Sequence, residues 1–256
     1  MSAFPYDAHI HTNVSEGRDS LREMIRAAEA AQLELAAVAD SYELAGDDLR
    51  DRVRDIVKAD ATTRVMIVPA IETAILDSAG TIALSKELAS LAPVVYAHFG
   101  GRTHGIAHDP PASKYRYLAN IFEALLGAVN DPAITALARP FNIGQFPAPM
   151  APSQLPRSGL DELAAAMFES EVAFEITNQM HWWFPELSVD EFTRDYAGLL
   201  SVFSARNVKF LVSSDARSAG AVGNLDYVVR LMKEAGVEKS QVIDLPQLIR
   251  RKMGHN

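Results

Sequence analysis

The sequence predicts an α/β protein whose parallel strands close into a barrel, and three observations carry that prediction. Seven short apolar runs alternate with stretches of helical periodicity, the pattern of strands joined by helical crossovers. Each run leads into a polar or ionisable residue at its C-terminal end, where a parallel barrel gathers its functional groups on one rim. A doubly wound open sheet is the competing arrangement, and the Gly-rich dinucleotide turn that marks many of its members does not occur. At 256 residues the chain has the length of one α/β barrel, and a single domain over residues 1–256 is expected.

The first strand lies within Tyr6-Asp-Ala-His-Ile-His-Thr, with His9 and His11 at its end. If Asp7 to His11 is a regular strand, Asp7, His9 and His11 alternate onto one face. Ser20-Leu-Arg-Glu23 fits a capping box and opens a helix to about Gln32, with Leu21, Met24, Ile25 and Ala28 at helical spacing. Leu35 to Ala39 is a buried strand ending in Asp40, followed by a helix from Asp47 to about Ala59. Val65 to Ile71 is the next strand, ending in Glu72, although Pro69 lacks a ladder donor.

A short helix over residues 85–91 precedes the strand Val94 to Ala97, which runs into His98. Gly100 to Pro111 is a long Gly- and Pro-containing loop of the kind that forms lids. Tyr115 to Val129 is helical, Ile134 to Ala138 ends in Arg139-Pro140, and a Pro-rich loop reaches Pro156. Leu160 to Glu171 is helical and Val172 to Phe174 leads into Glu175. A second capping box, Ser188 to Glu191, opens a helix to about Ala205, and Lys209 to Ser214 ends in Asp215. Asn224 caps a helix to Ala235, and Pro246 suits the first turn of a last one.

A net charge of −9 argues against a polyanion as the main partner, because nucleic-acid binding normally needs a basic face. With no cysteine there is no disulfide, no thiolate nucleophile and no Cys-based zinc site, so a metal would rest on His and carboxylates. No apolar run approaches membrane-spanning length and no secretory leader is visible, which predicts a soluble, cytoplasmic protein without a membrane partner. The sequence leaves the oligomeric state open. His9 and His11 two positions apart can reach one cation from a strand, provided that carboxylates join them from elsewhere.

These strand-end residues resemble the PHP (polymerase and histidinol phosphatase) family over essentially the whole chain. The family's opening Asp-x-His-x-His and Ser-Asp-Gly correspond to Asp7, His9 and His11 and to Ser15-Glu16-Gly17. Its Thr-Asp-His reads Ala39-Asp40-Ser41 here, its strand-end Glu matches Glu72, and His98 is the best-placed candidate for the His that follows. Its His-Pro reads Arg139-Pro140, and its closing Ser-Asp-Ala-His reads Ser214-Asp215-Ala216-Arg217, followed by Val222-Gly223. The resemblance implies a distorted barrel of seven βα units, (β/α)7, and metal-dependent phosphoester hydrolysis with up to three ions.

Departures from the pattern narrow the expectation. Histidines of the family are replaced by Ser41, Arg139 and Arg217, and a guanidinium has no lone pair with which to ligate a cation. The resemblance then leaves His9, His11, Glu72 and Asp215 around one ion, with His98 and Glu72 toward a second. One or two ions of zinc, manganese or iron are expected, and the ligand types do not decide among them. Arg139 and Arg217 are the candidate catalytic residues, holding phosphoryl oxygens by charge-assisted hydrogen bonds. The expected partner is a small phosphate ester or another anionic molecule. Two other functions remain: a catalytically inactive binder of an anion through Arg139 and Arg217, and, more weakly, a C–N hydrolase of the amidohydrolase type.

Several other residues have a plainer reading beside a functional one. Asp40 reads as a helix cap or structural acid, and His104 and His108 as solvated loop histidines unless a lid brings one to the site. Glu175 and Asn178 read as substrate ligands or as neighbours that neutralise an arginine. The run His181-Trp-Trp-Phe184 reads as packing under the rim or a substrate wall. The pairs Asp47-Asp48 and Asp161-Glu162 read as first-turn acids that complement a helix dipole.

Overall fold

The computed structural model describes residues 3–42 and 48–252. Strand β1 (Tyr6–Ile10) is followed by α1 (Leu21–Ala30), β2 (Leu35–Val38), the two-residue β3 (Ser41–Tyr42) and α2 (Asp48–Asp60). Next come β4 (Met66–Ile75), α3 (Lys86–Ala89), β5 (Val94–Phe99), α4 (Lys114–Val129), β6 (Ala136–Leu137) and α5 (Arg157–Glu169). The chain continues with β7 (Ala173–Thr177), α6 (Val189–Ala205), β8 (Phe210–Ser213), α7 (Asp226–Ala235) and α8 (Leu245–Lys252). All ladder pairings are parallel, in the order β1-β2-β4-β5-β6-β7-β8, with β3 resuming the edge of β4 beyond β2. Seven parallel strands with helices between them thus form a nearly closed (β/α)7 barrel.

Closure comes from the two ends of the sheet. Ile10 bridges Ala216 in parallel, and His11 N–H donates to Ala216 C=O at 2.8 Å. The seam is locked by Asp7, fully buried, which accepts from Ser214 N–H at 2.9 Å, from Gly223 N–H at 2.8 Å and from the Ser214 hydroxyl. Burial outweighs these hydrogen bonds and raises the Asp7 pKa.

Asp7 does not share a face with the histidines, contrary to the alternation expected from the sequence. Tyr6 pairs with Leu35 and Asp7 with Ala36, but Ile10 pairs with Val38, so three steps of β1 match two of β2. This bulge turns Asp7 and Ile10 to the side of Ala36 and Val38, outside the barrel under α1. Tyr6 and Ala8 belong instead to the main core, where Leu35, Ala37 and Tyr96 lie, and Tyr96 donates its hydroxyl to Ala8 C=O at 2.6 Å.

The sequence signals hold for most elements. Ser20 and Glu23 form the expected capping box on α1, as do Ser188 and Glu191 on α6. Strand β4 runs three residues past Glu72 instead of ending there. Pro69, opposite Val38, faces the point where β2 stops, and pairing resumes at Ser41 opposite Glu72. The missing proline donor coincides with that break, which frees Asp40 to turn toward the loop after β1.

Other details differ. Leu225, not Asn224, occupies the N-cap of α7; Asn224 Oδ1 accepts only a 3.4 Å bond from Asp226 N–H. Helix α5 begins at Arg157, so Asp161 lies beyond its first turn and pairs with Arg157 at 2.9 Å. Asp47 lies outside the described residues. The main core is filled by helix faces and aromatic rings, among them Phe141, Phe174, Phe203 and Phe210, whose centroids step across it at 4.9–6.4 Å. No helix among the described residues is long and apolar enough to cross a membrane.

Replacing Asp7 by Ala strips several buried donors of their acceptor, each worth roughly 1–3 kcal/mol when left unpaired. Asp7→Ala is therefore expected to lower stability by about 3 kcal/mol or more, read as a shift of the urea midpoint at unchanged slope. An unshifted midpoint would remove Asp7 from the closure of the barrel.

Candidate metal centre

The barrel mouth collects side chains from six strands, in or just beyond each one. His9 from the bulge of β1 and His11 just beyond it stand with ring centroids 4.7 Å apart, and His9 stacks on Tyr96 of β5 at 4.7 Å. His9, His11 and Glu72 are fully buried, and one ligand atom of each lies within 4.8 Å of the others. Glu72 Oε2 is 3.9 Å from His9 Nε2 and 3.9 Å from His11 Nε2, and it accepts from Ser41 Oγ at 2.6 Å. Asp215 Oδ1 stands 3.2 Å from His11 Nε2. His98 lies at the edge, its Nδ1 3.9 Å from Glu72 Oε1.

Arg139 occupies the centre of these acids. Its Nη2 donates to Glu72 Oε1, and its Nη1 lies 3.0 Å from Asp215 Oδ2. Both Arg139 (φ 46°) and Asp215 (φ 52°) have left-handed backbones, unusual away from glycine. For an arginine this conformation costs energy, and its two ion pairs hold the side chain there. Arg217, in contrast, is half-buried and bound to Glu16 at 2.7 Å, toward the surface.

Glu175, in the middle of β7, which runs on to Thr177 instead of ending before it, has a role that sequence reasoning did not assign. It lies 2.7 Å from His9 Nδ1, and because a carboxylate only accepts, that nitrogen carries the proton. The opposite nitrogen, Nε2, is thereby aimed at Glu72 with its lone pair exposed in the neutral ring. Ser213 Oγ donates to the same Glu175 oxygen at 2.8 Å. A strand-end acid was visible in the sequence; its partner 166 positions away was not.

Asp40 holds the loop that carries His11 onward. It accepts from Thr12 N–H at 2.7 Å, Thr12 Oγ1 at 2.8 Å and Ser15 Oγ at 2.7 Å, and pairs with Arg52 Nη2 at 2.7 Å. Thus it is a structural acid, the plainer of the two readings. Gly17 is needed in this loop because a Cβ there would meet His11 C=O at 2.5 Å. In the run 181–184, Phe184 is core and packs on Phe192 at 5.0 Å, whereas Trp182 is 60% exposed.

Charge balance follows from these contacts. Burial alone would depress the His9 pKa, but the Glu175 and Glu72 charges outweigh it and lift it to about 9. Burial would raise Glu72 and Asp215; the Arg139 charge, followed by the neighbouring imidazoles, holds both well down in the ionised form. His98 is lowered, burial prevailing over Glu72.

The donor set fits a cation. His9 Nε2, His11 Nε2 and Asp215 Oδ1 are buried with no aligned hydrogen bond, although buried polar atoms are normally paired. Metal bonds of about 2.0–2.2 Å set neighbouring ligand atoms roughly 3–3.5 Å apart, close to the separations of 3.2–3.9 Å found here. The other carboxylate oxygens, Glu72 Oε1 and Asp215 Oδ2, are taken by the Arg139 guanidinium. The loop histidines His104 and His108 are exposed and lie outside this set.

No family model matches the chain, and no curated protein matches it by sequence. Its fold is similar to a histidinol phosphate phosphatase from Lactococcus lactis subsp. lactis, solved with zinc, L-histidinol and phosphate. That likeness has a TM-score of 0.68 and 18% identity, over 91% of this chain and 94% of that one. A chain of an archaeal ribonuclease P bound to mature tRNA aligns with TM-score 0.52 and 13% identity, over 90% of this chain and 88% of that one. At such identities the likeness is one of fold.

Removing a partner from a buried ion pair costs about 3–5 kcal/mol, and Arg52→Met is expected to destabilise at the lower end of that range. Burial would raise the Asp40 pKa, but the Thr12 and Ser15 hydrogen bonds and the Arg52 charge bring it below the ordinary value. Its contribution is therefore complete above the unfolded pKa of about 3.9 and lost as pH falls through the lower folded value. The stability gap between wild type and Arg52→Met should close in acid; a gap that stays constant to pH 2 would contradict the assignment.

Proposed function

We propose that this protein is a PHP-type hydrolase of a small phosphate ester that works with one divalent cation held by His9, His11, Glu72 and Asp215. The observation that carries the reading is the convergence of His9, His11 and Glu72, whose buried ligand atoms lie within 4.8 Å of one another, with Asp215 Oδ1 3.2 Å from His11 Nε2. The solved neighbour with zinc and phosphate and the family resemblance of the strand-end motifs point the same way. Two imidazoles and two carboxylates suit zinc, manganese or iron. Such an ion supplies Lewis acidity to a phosphoryl oxygen and lowers the pKa of water.

The chain's own residues do the rest. Glu175 fixes the His9 ring, and Arg139 fixes the Glu72 and Asp215 carboxylates while placing a permanent positive charge beneath the phosphoryl group. Arg217, at the surface end of β8, exchanges Glu16 for phosphate oxygens when substrate arrives. Water supplies the oxygen that bonds to phosphorus as the ester P–O bond breaks, and its protons end on the alcohol and the phosphate. His98 completes the wall beside Glu72.

A second reading keeps the anion and drops the turnover. It is favoured by Arg139, which stands where the family supplies a metal ligand and neutralises two of the four ligands proposed here. In that case inorganic phosphate binds through Arg217 and Arg139, and no ester in a broad panel is hydrolysed.

Chelation is expected to abolish hydrolysis of small phosphate esters, with recovery on adding zinc, manganese or iron(II). His9→Ala should lose the ion and the activity together. Full activity of His9→Ala, or a protein that takes up no ion at this set, overturns the hydrolase reading; phosphate binding without turnover selects the second. Glu175→Gln should keep the fold and weaken ion binding about 10–100-fold, as loss of an orienting partner does elsewhere. Equilibrium dialysis measures it directly, and unchanged affinity would remove Glu175 from its positioning role.

A further inference from the structure

The loop after β5 contains a second group of ligating side chains. Its backbone is tied down from within. Thr103 is fully buried; its hydroxyl donates to Ile75 C=O at 2.6 Å and accepts from Gly100 N–H at 3.1 Å. The Thr103 carbonyl accepts from the N–H groups of Ile106, Ala107 and His108 at 3.0–3.2 Å, and Ile106 is an apolar anchor with no exposed surface. Gly105 adopts φ +75°, donates to His108 C=O at 2.7 Å and accepts from Asn120 Nδ2 at 2.8 Å. A Cβ at Gly105 would lie 2.7 Å from that Asn120 nitrogen, so glycine is required for the loop to sit on α4.

This frame presents His104, His108 and Asp109 to solvent, each with a ligand atom within 4.8 Å of the others. The two rings meet edge to face with centroids 4.6 Å apart, and His108 Nε2 is 3.2 Å from Asp109 Oδ2. Asp109 itself has φ 50°, a left-handed residue that turns its carboxylate back toward the ring. Backbone order of this kind is already present before any ligand arrives, so little further entropy is lost on binding. The chain's net charge of −9 adds a general attraction for cations.

We propose that His104, His108 and Asp109 form a solvent-facing site for a divalent transition ion, separate from the strand-end set. Two imidazoles with one carboxylate select zinc, nickel or copper over magnesium or calcium. Water fills the remaining positions, which makes the site open and exchangeable. It does not depend on the hydrolase reading, since no residue is shared.

The test uses the 256-residue chain, dialysed against Zn²⁺ and separately Ni²⁺, with bound metal counted for wild type, H104Q/H108Q and H9A/H11A. H104Q/H108Q should lose one equivalent, keep the circular dichroism spectrum and retain whatever phosphate-ester hydrolysis the wild type has. H9A/H11A should keep that equivalent. In wild-type NMR spectra, substoichiometric Ni²⁺ should broaden the ring signals of His104 and His108. Equal metal content in H104Q/H108Q and wild type, or ring signals untouched by Ni²⁺, overturns the proposal. Because the strand-end variants are scored separately, failure of that centre and failure of this site give different patterns.

Discussion

Three acids, Glu72, Glu175 and Asp215, are buried in the mouth of one barrel, and the rest of the structure is arranged around giving each of them a partner there. A lone buried charge is prohibitively costly unless it is paired and hydrogen-bonded. Arg139 reaches two of the three and His9 reaches the third. Ser41 and Ser213 add hydroxyl donors from adjacent strand ends. The strained backbones of Arg139 and Asp215 follow from this demand, because only an inward turn at each strand end brings guanidinium and carboxylate together.

The same arrangement shows what a guanidinium does among buried acids. A cation between two acids and a guanidinium between two acids answer the same electrostatic need. They differ in chemistry: one is exchangeable and acts as a Lewis acid, whereas the other is covalently tied and permanently charged. Beside the acid pair that Arg139 neutralises, His9 Nε2, His11 Nε2 and Asp215 Oδ1 lie buried without aligned hydrogen bonds on the other side of the mouth. That side is where ion binding is proposed.

Much of the fold was legible because strands and helices differ in hydrophobic period. The apolar runs at Leu35, Val94 and Phe210 and the capping boxes at Ser20 and Ser188 are local signals, and local signals survive into the structure. The bulge in β1 was not legible, since an extra residue leaves no mark in a run that is apolar and polar by turns. The extent of β4 past Glu72 was hidden for a similar reason: Thr73 and Ala74 carry little signal of their own. At the site, residue types at strand ends could be read one by one. Which acid meets which cation could not, because pairs such as His9 with Glu175 and Asp7 with Ser214 are made only when the barrel closes.

The extra residue in β1 ties the chemistry of the mouth to a defect in the sheet. With regular pairing through Asp7 and Ile10, the strand would be one residue shorter over the same span, and the side chains on one flank of the gap would reverse their faces. Length, more than identity, is thus the guarded property of this segment. A substitution at Ala8 alters packing, whereas a one-residue deletion there would either swing the imidazoles out toward α1 or tear the aspartate latch from the opposite edge.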